Sequence, residues 1–92
     1  MQRSMPKWIA GQAYLKDQLE RAMSSAVLNV VEGNGRRTQK DRQRFFTQST
    51  ASLCEVHACL ELIKIQRPHH EAEITSLQRE LEIIYAMIRR LP

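Results

Sequence analysis

Ser25-Ala26-Val27-Leu28-Asn29-Val30-Val31-Glu32-Gly33-Asn34-Gly35-Arg36-Arg37 is the stretch that decides the fold. It reads as the end of one long helix and the hinge into a second. Apolar residues crowd both sides of Asn29, so this turn of helix is expected to be buried. A buried amide is costly unless it is hydrogen-bonded, and Glu32, three residues on along the same helical face, is the expected acceptor. Gly33, Asn34 and Gly35 permit the positive φ angles that stop a helix and reverse the chain. Basic charge begins at Arg36, immediately after the turn.

Upstream of the hinge, Leu15, Leu19, Ala22, Ala26 and Val30 recur at steps of three and four, which predicts a helix from about Gln12 to Glu32. Met23, Val27 and Val31 form a second stripe beside the first. So wide an apolar face implies burial against more than one neighbour. Met1–Ala10 is short and ambiguous, with Pro6 suited to a first helical turn and Trp8 placed to plug the open end of a bundle.

Downstream, Thr38 is a good N-cap, with Asp41 three residues later as a variant of the capping box. Helix two is expected from about Gln39 to Gln66, closed by Pro68, which disfavours helix at Arg67. Its predicted core stripe is Phe45, Ser49, Ser52, Val56, Leu60 and Ile63, with Phe46, Leu53 and Leu62–Ile65 on its flanks. Helix three is expected from about Glu71 to Leu91. Ile74, Leu77, Leu81, Ile84, Ile88 and Leu91 alternate steps of three and four as a heptad seam. Glu71 and Glu73 at its start and Arg89 and Arg90 at its end suit the helix dipole. Ile83, Tyr85 and Met87 lie off the seam, and a second apolar patch of this kind suggests a partner chain. Three such helices span about 30 to 40 Å each, and short connections make neighbours antiparallel. The predicted fold is one all-α domain over residues 1–92, an antiparallel helical bundle of three long helices plus a short N-terminal segment, oligomeric.

The 92 residues carry 14 Lys and Arg against 10 Asp and Glu, a net charge of +4. That permits nucleic-acid binding without requiring it. No apolar run approaches the roughly eighteen residues that span a membrane, and no signal peptide is legible, so a cytoplasmic location is expected. Cys54 and Cys59, five apart on a helix, place their Cα atoms about 8 to 9 Å apart. A disulfide fails above about 7 Å, and free thiols fit a reducing compartment.

The sequence carries no catalytic constellation. No glutamate has a histidine three residues later, as a di-iron or di-manganese bundle site requires. Cys54 and His57 are at i and i+3, short of the four ligands of structural zinc. His69 and His70 follow Pro68 as turn residues. No serine stands in a nucleophile elbow, and Gly33-Asn34-Gly35 lacks the Lys-Ser/Thr pair of a phosphate loop. No enzyme, cofactor or metal is expected. The candidate binding residues are Arg36, Arg37, Lys40, Arg42 and Arg44, with Asp41 the one acid among them. Such a cluster can grip phosphates. The bland alternative is that one or two of them pair with Glu32, Glu55 or a neighbouring subunit and the rest are solvated.

Two blocks carry a family resemblance. Gln18-Leu19-Glu20-Arg21-Ala22 followed by Ser25–Arg36 resembles a Q-L-x-R-A, S-I-x-x-N-I-A-E-G, G-R signature. Arg44-Phe45-Phe46 through Ser52-Leu53-Cys54-Glu55 resembles R-F-L-x-x-A-x-G-S-L-x-E. Both are marks of the four-helix bundle proteins encoded in intervening sequences of bacterial large-subunit ribosomal RNA genes. The departures are Val31, Ser49 and Ala51, all compatible with helix, and Met1–Gly11 stands where the family carries a full helix. The resemblance implies a ring-like homo-oligomer, with a pentamer the first guess. The same architecture is similar to the accessory protein of diversity-generating retroelements, which implies work beside RNA or DNA and a reverse transcriptase. The reading of the hinge marks Asn29, Glu32, Gly33 and Gly35 as structural. Two functions follow as expectations: a non-enzymatic nucleic-acid-binding or ribonucleoprotein accessory module, or a structural oligomer that recruits a protein partner.

Overall fold

The computed structural model describes residues 13–92. They form α1 (Ala13–Asn34), α2 (Gln39–Gln66), a short 3-10 turn (Pro68–His70) and α3 (Glu71–Arg89), with no strand among the described residues. The expectation for Trp8 lies outside them.

α2 has the expected bounds. Its N-cap Thr38 accepts the Asp41 backbone N–H at 3.1 Å. At its other end Arg67 leaves the helical region and donates its N–H to Ile63 at 2.8 Å, and Pro68 opens the 3-10 turn. α1 runs two residues beyond expectation. Gly33 stays helical instead of stopping the chain with a positive φ, and neither it nor Gly35 adopts that conformation. The helix ends by tightening, with Gly35 N–H shared between Val31 and Glu32 carbonyls and Arg36 N–H on Gly33. The absent side chain of Gly33 serves packing. A Cβ there would lie 2.6 Å from Phe46 Cε1.

α2 is the shared partner of the other two helices: α1 lies closely along it, α3 packs on it, and α1 and α3 hardly touch. Contacts between α1 and α2 run from Gly33 against Phe46, through Ser49 Oγ donating to the Ala26 carbonyl at 2.7 Å, to Ser25 against Ser52. Ala22, Ala26, Ser49 and Ser52 are all buried, and their small size lets the two backbones approach. A directed chain of hydrogen bonds crosses this seam. Ser52 Oγ donates to Gln48 O at 3.1 Å, so the Ser25 hydroxyl supplies the proton of the 2.8 Å contact with Ser52. Asn29 Nδ2 in turn donates to Ser25 O at 2.8 Å and to Ser25 Oγ at 3.2 Å. Two sequence expectations are corrected here. Asn29 is half-buried and bonds to Ser25, while Glu32 is exposed and turns to Arg36.

The apolar core follows the predicted stripes at Ala22, Ala26, Val56, Leu60, Ile63, Ile74, Leu81 and Ile88. Phe46, at 2% exposure, takes the core place expected of Phe45, because the notch at Gly33 admits its ring. On α3 the inward stripe carries Gln78 and Tyr85, and Ile84 stays 43% exposed. Among the described residues α3 packs on α2 and hardly on α1, so one flank of its seam is left open by them. Gln78, buried on that seam, is fully engaged: its amide donates to His57 O at 3.3 Å and Glu61 Oε1 at 3.1 Å, and its carbonyl accepts from Lys64 Nζ at 2.9 Å. Val27, Leu28 and Val31 on α1, Leu62 and Ile65 on α2, and Ile83 and Met87 on α3 are each at least half exposed. The radius of gyration is 14.4 Å, against about 12 Å for a compact chain of this length.

Candidate nucleic-acid interface

The five predicted cations sit where α1 ends and α2 begins, but they are not equivalent. Arg36 pairs with Glu32 at 2.7 Å and lies 4.7 Å from the Phe45 ring centroid. Arg44 reaches the same ring at 4.9 Å and stands 3.9 Å from Asp41. One half-buried phenyl ring therefore holds two guanidinium groups. Exposed cation–π contacts are worth about 0.5 to 1 kcal/mol each, enough to bias the two side chains without fixing them. Both ion pairs are exposed, a class worth about 0 to 1 kcal/mol, so an incoming phosphate competes with them at little cost. Arg37 and Lys40 are exposed and make no ion pair with any described residue. Arg42 is half-buried, its Nε without a hydrogen-bond partner. Of the alternative partners weighed from sequence, Glu32 is taken, by Arg36, and Glu55 is not.

The fold brings two further cations to this end. Gln43, in the second turn of α2, donates to the Leu91 carbonyl at 3.1 Å, which fixes the end of α3 beside the start of α2. Arg89 and Arg90 thus join a cluster whose other members lie some fifty residues earlier in the chain. Sequence reasoning assigned them to the helix dipole alone. Only the docking of α3 on α2 reveals the association, and no local signal carries it. Seven cations against two acids, Glu32 and Asp41, give this end +5, while the whole chain carries +4; the remaining sequence sums to −1. Among the described residues the positive charge is therefore concentrated at one end.

Between α2 and α3 at this end opens a cleft of about 300 Å³. Gln43, Thr47 and Thr50 line one side, Tyr85 and Arg89 the other, and Phe46 lies behind. Arg89 is tethered to Tyr85, with Nη1 3.4 Å from the phenol oxygen and the guanidinium 5.8 Å from the ring centroid.

Away from this end two titratable groups are shifted by their surroundings. The Glu61 carboxyl is held below its ordinary value, first by the hydrogen bond from Gln78 and then by that from Lys64. Burial pushes the Cys59 thiol up, helped by the nearby charge of Glu55. Cys54 is exposed and both thiols are free. His57 Nε2 stands 3.7 Å from Glu82 Oε1 across the α2–α3 contact. No helix among the described residues is long and apolar enough to cross a membrane.

Comparison with curated proteins finds no match, and comparison with solved structures finds none either. The two signature blocks read from the sequence are part of a longer likeness: the profile of the 23S rRNA-intervening sequence protein family matches residues 2–90, and the chain belongs to that family.

Proposed function

We propose that this chain is a non-enzymatic nucleic-acid-binding accessory module that works in the cytoplasm as a homo-oligomer. The observation that carries the proposal is the concentration of charge: one end holds +5 where the whole chain carries +4, on three helix termini brought together by the fold. Polyanion binding draws on such a surface through release of condensed counterions. RNA is the first ligand to test. In this reading the antiparallel bundle is completed by neighbouring copies, which cover the apolar residues left exposed on α1 and α3, with a pentamer the first guess. A ring would repeat the basic end once per subunit on one rim, and linked weak sites bind far more tightly than one alone. A reverse transcriptase or another nucleic-acid enzyme is the class of protein partner such a module would serve.

A second reading has its own observation. Eight large apolar side chains among the described residues of α1, α2 and α3 are at least 50% exposed, more than scattered surface residues need. They fit a structural oligomer that recruits a protein and binds no nucleic acid. Fluorescence anisotropy with a single-stranded RNA and a duplex DNA separates the two. Binding at low salt that is lost in Arg36→Glu/Arg37→Glu, with helical content unchanged, supports the first. Absence of binding at low salt, or equal binding by the charge reversal, leaves the second.

A further inference from the structure

We infer that the cleft between α2 and α3 receives one unpaired nucleobase with its sugar and phosphate, so that the basic end holds single strands more tightly than duplexes. The inference rests on the proposed nucleic-acid binding and adds to it a ligand class and a site. The cleft's volume of about 300 Å³ stands at the small end of the roughly 300 to 1,000 Å³ of small-molecule sites. That is room for a nucleoside.

Its chemistry matches that ligand in three respects. Tyr85 is half-buried and offers an aromatic wall; sequence-tolerant stacking on such rings is how proteins hold unpaired bases. Arg89, tethered to Tyr85 by its Nη1, keeps further N–H groups for a phosphate. The polar groups on α2 are only partly spent. Gln43 uses its amide N–H on Leu91 and keeps its carbonyl oxygen. Thr50 gives its proton to Thr47 O at 2.9 Å, whereas the Thr47 hydroxyl makes no hydrogen bond among the described residues. A donor, an acceptor, a ring and a cation thus converge on one small space at the end that carries the positive charge. A duplex, whose bases are stacked inside, offers this end only its phosphates.

The test uses the full chain, a short single-stranded RNA of mixed sequence, and a DNA duplex with the same number of phosphates. Thr47→Phe fills the cleft from an exposed helix position. Tyr85→Leu keeps an apolar contact with the core and removes the ring. Each is expected to weaken single-strand binding about tenfold, within the range measured for loss of one stacked base, and to leave duplex binding as in the parent. Unchanged single-strand affinity in both variants, or an equal loss on both ligands, overturns the pocket and leaves the basic-end reading standing. Failure of the parent to bind either ligand at low salt overturns both. If Thr47→Phe alters the number of subunits and not the affinity, the cleft belongs to a neighbouring copy and the inference also fails.

Discussion

Gly33→Ala sets two effects of known sign against each other. Alanine is favoured over glycine inside a helix by about 0.8 to 1 kcal/mol, and Gly33 is helical with no positive φ, so propensity alone predicts a more stable protein. The structure predicts the reverse. The new Cβ would lie 2.6 Å from Phe46 Cε1, 2.9 Å from Cδ1 and 3.2 Å from Phe45 Cβ. Carbon atoms pack at about 3.5 to 4.0 Å, so the ring must retreat by about 1 Å. Phe46 is 2% exposed, so its ring is packed on nearly every side. Overpacking of this kind costs about 1 to 3 kcal/mol, leaving a net loss of up to about 2 kcal/mol after the propensity gain. For a chain of this size that is a fall of up to roughly 16 °C in Tm. Gly35→Ala is the control: its Cβ would meet nothing nearer than the Glu32 carbonyl at 3.6 Å, and the expected result is neutral or up to about 1 kcal/mol more stable. Thermal melts of the parent and both variants at one protein concentration decide the matter, since assembly makes Tm concentration-dependent. In a Phe46→Leu background the Gly33→Ala cost should shrink, because the two positions are in contact. A Gly33→Ala protein as stable as the parent, or a Gly35→Ala protein that is the weaker of the two, refutes the reasoning.

Ser52→Ala breaks the hydroxyl chain across the α1–α2 seam and is expected to cost about 1 to 2 kcal/mol in urea unfolding, while Glu32→Ala, which removes only an exposed ion pair, should cost under about 1 kcal/mol; the opposite order would mean that the seam is not held as described. The Glu61 carboxyl titrates below its ordinary value of 4.5 because of Gln78 and Lys64, so its contribution is complete above the unfolded-state pKa and is lost as pH falls through the lower folded-state value. Acid should therefore weaken the α2–α3 contact, visible as hydrogen exchange in α3 accelerating at acid pH beyond the intrinsic rate, and Glu61→Gln should reduce that pH dependence. Light scattering on a size-exclusion column should show several subunits, reduced in number by Val31→Glu or Met87→Lys; a soluble monomer at micromolar concentration would contradict the oligomer.

The bounds of α2 were legible because Thr38 and Pro68 act locally, through a side-chain cap and a steric veto. The stripes through Ala22 and Ala26 and through Val56, Leu60 and Ile63 were legible because three-and-four spacing needs no knowledge of the partner. Phe45 and Phe46 could not be told apart in this way. They sit about 100° apart on the helix, and the choice was made by a notch at Gly33, thirteen residues away and on another helix. Asn29 had acceptors within reach in both directions along α1, and the winner was Ser25, already placed by its contact with Ser52. Ile84 exchanged places with Tyr85 because the seam was drawn for a closed bundle, whereas among the described residues α3 packs almost wholly on α2. The candidate site was legible to the same extent: Arg36–Arg44 as a run of charge, but not Arg89 and Arg90, whose membership depends on how α3 docks.

That dependence offers the most direct test of the central claim, that the charge gathered at one end by the fold is the binding surface. The salt dependence of single-stranded RNA binding should be measured for the parent, for Arg89→Glu/Arg90→Glu, and for Lys16→Glu/Arg21→Glu, which makes the same change in net charge on exposed positions of α1 away from that end. Reversal at Arg89 and Arg90 is expected to weaken binding and to lower the log–log salt slope by about 0.7 for each phosphate no longer neutralised. The reversal at Lys16 and Arg21 should leave that slope as in the parent. Equal effects of the two reversals, or a parent-like slope after reversal at Arg89 and Arg90, would contradict the central claim.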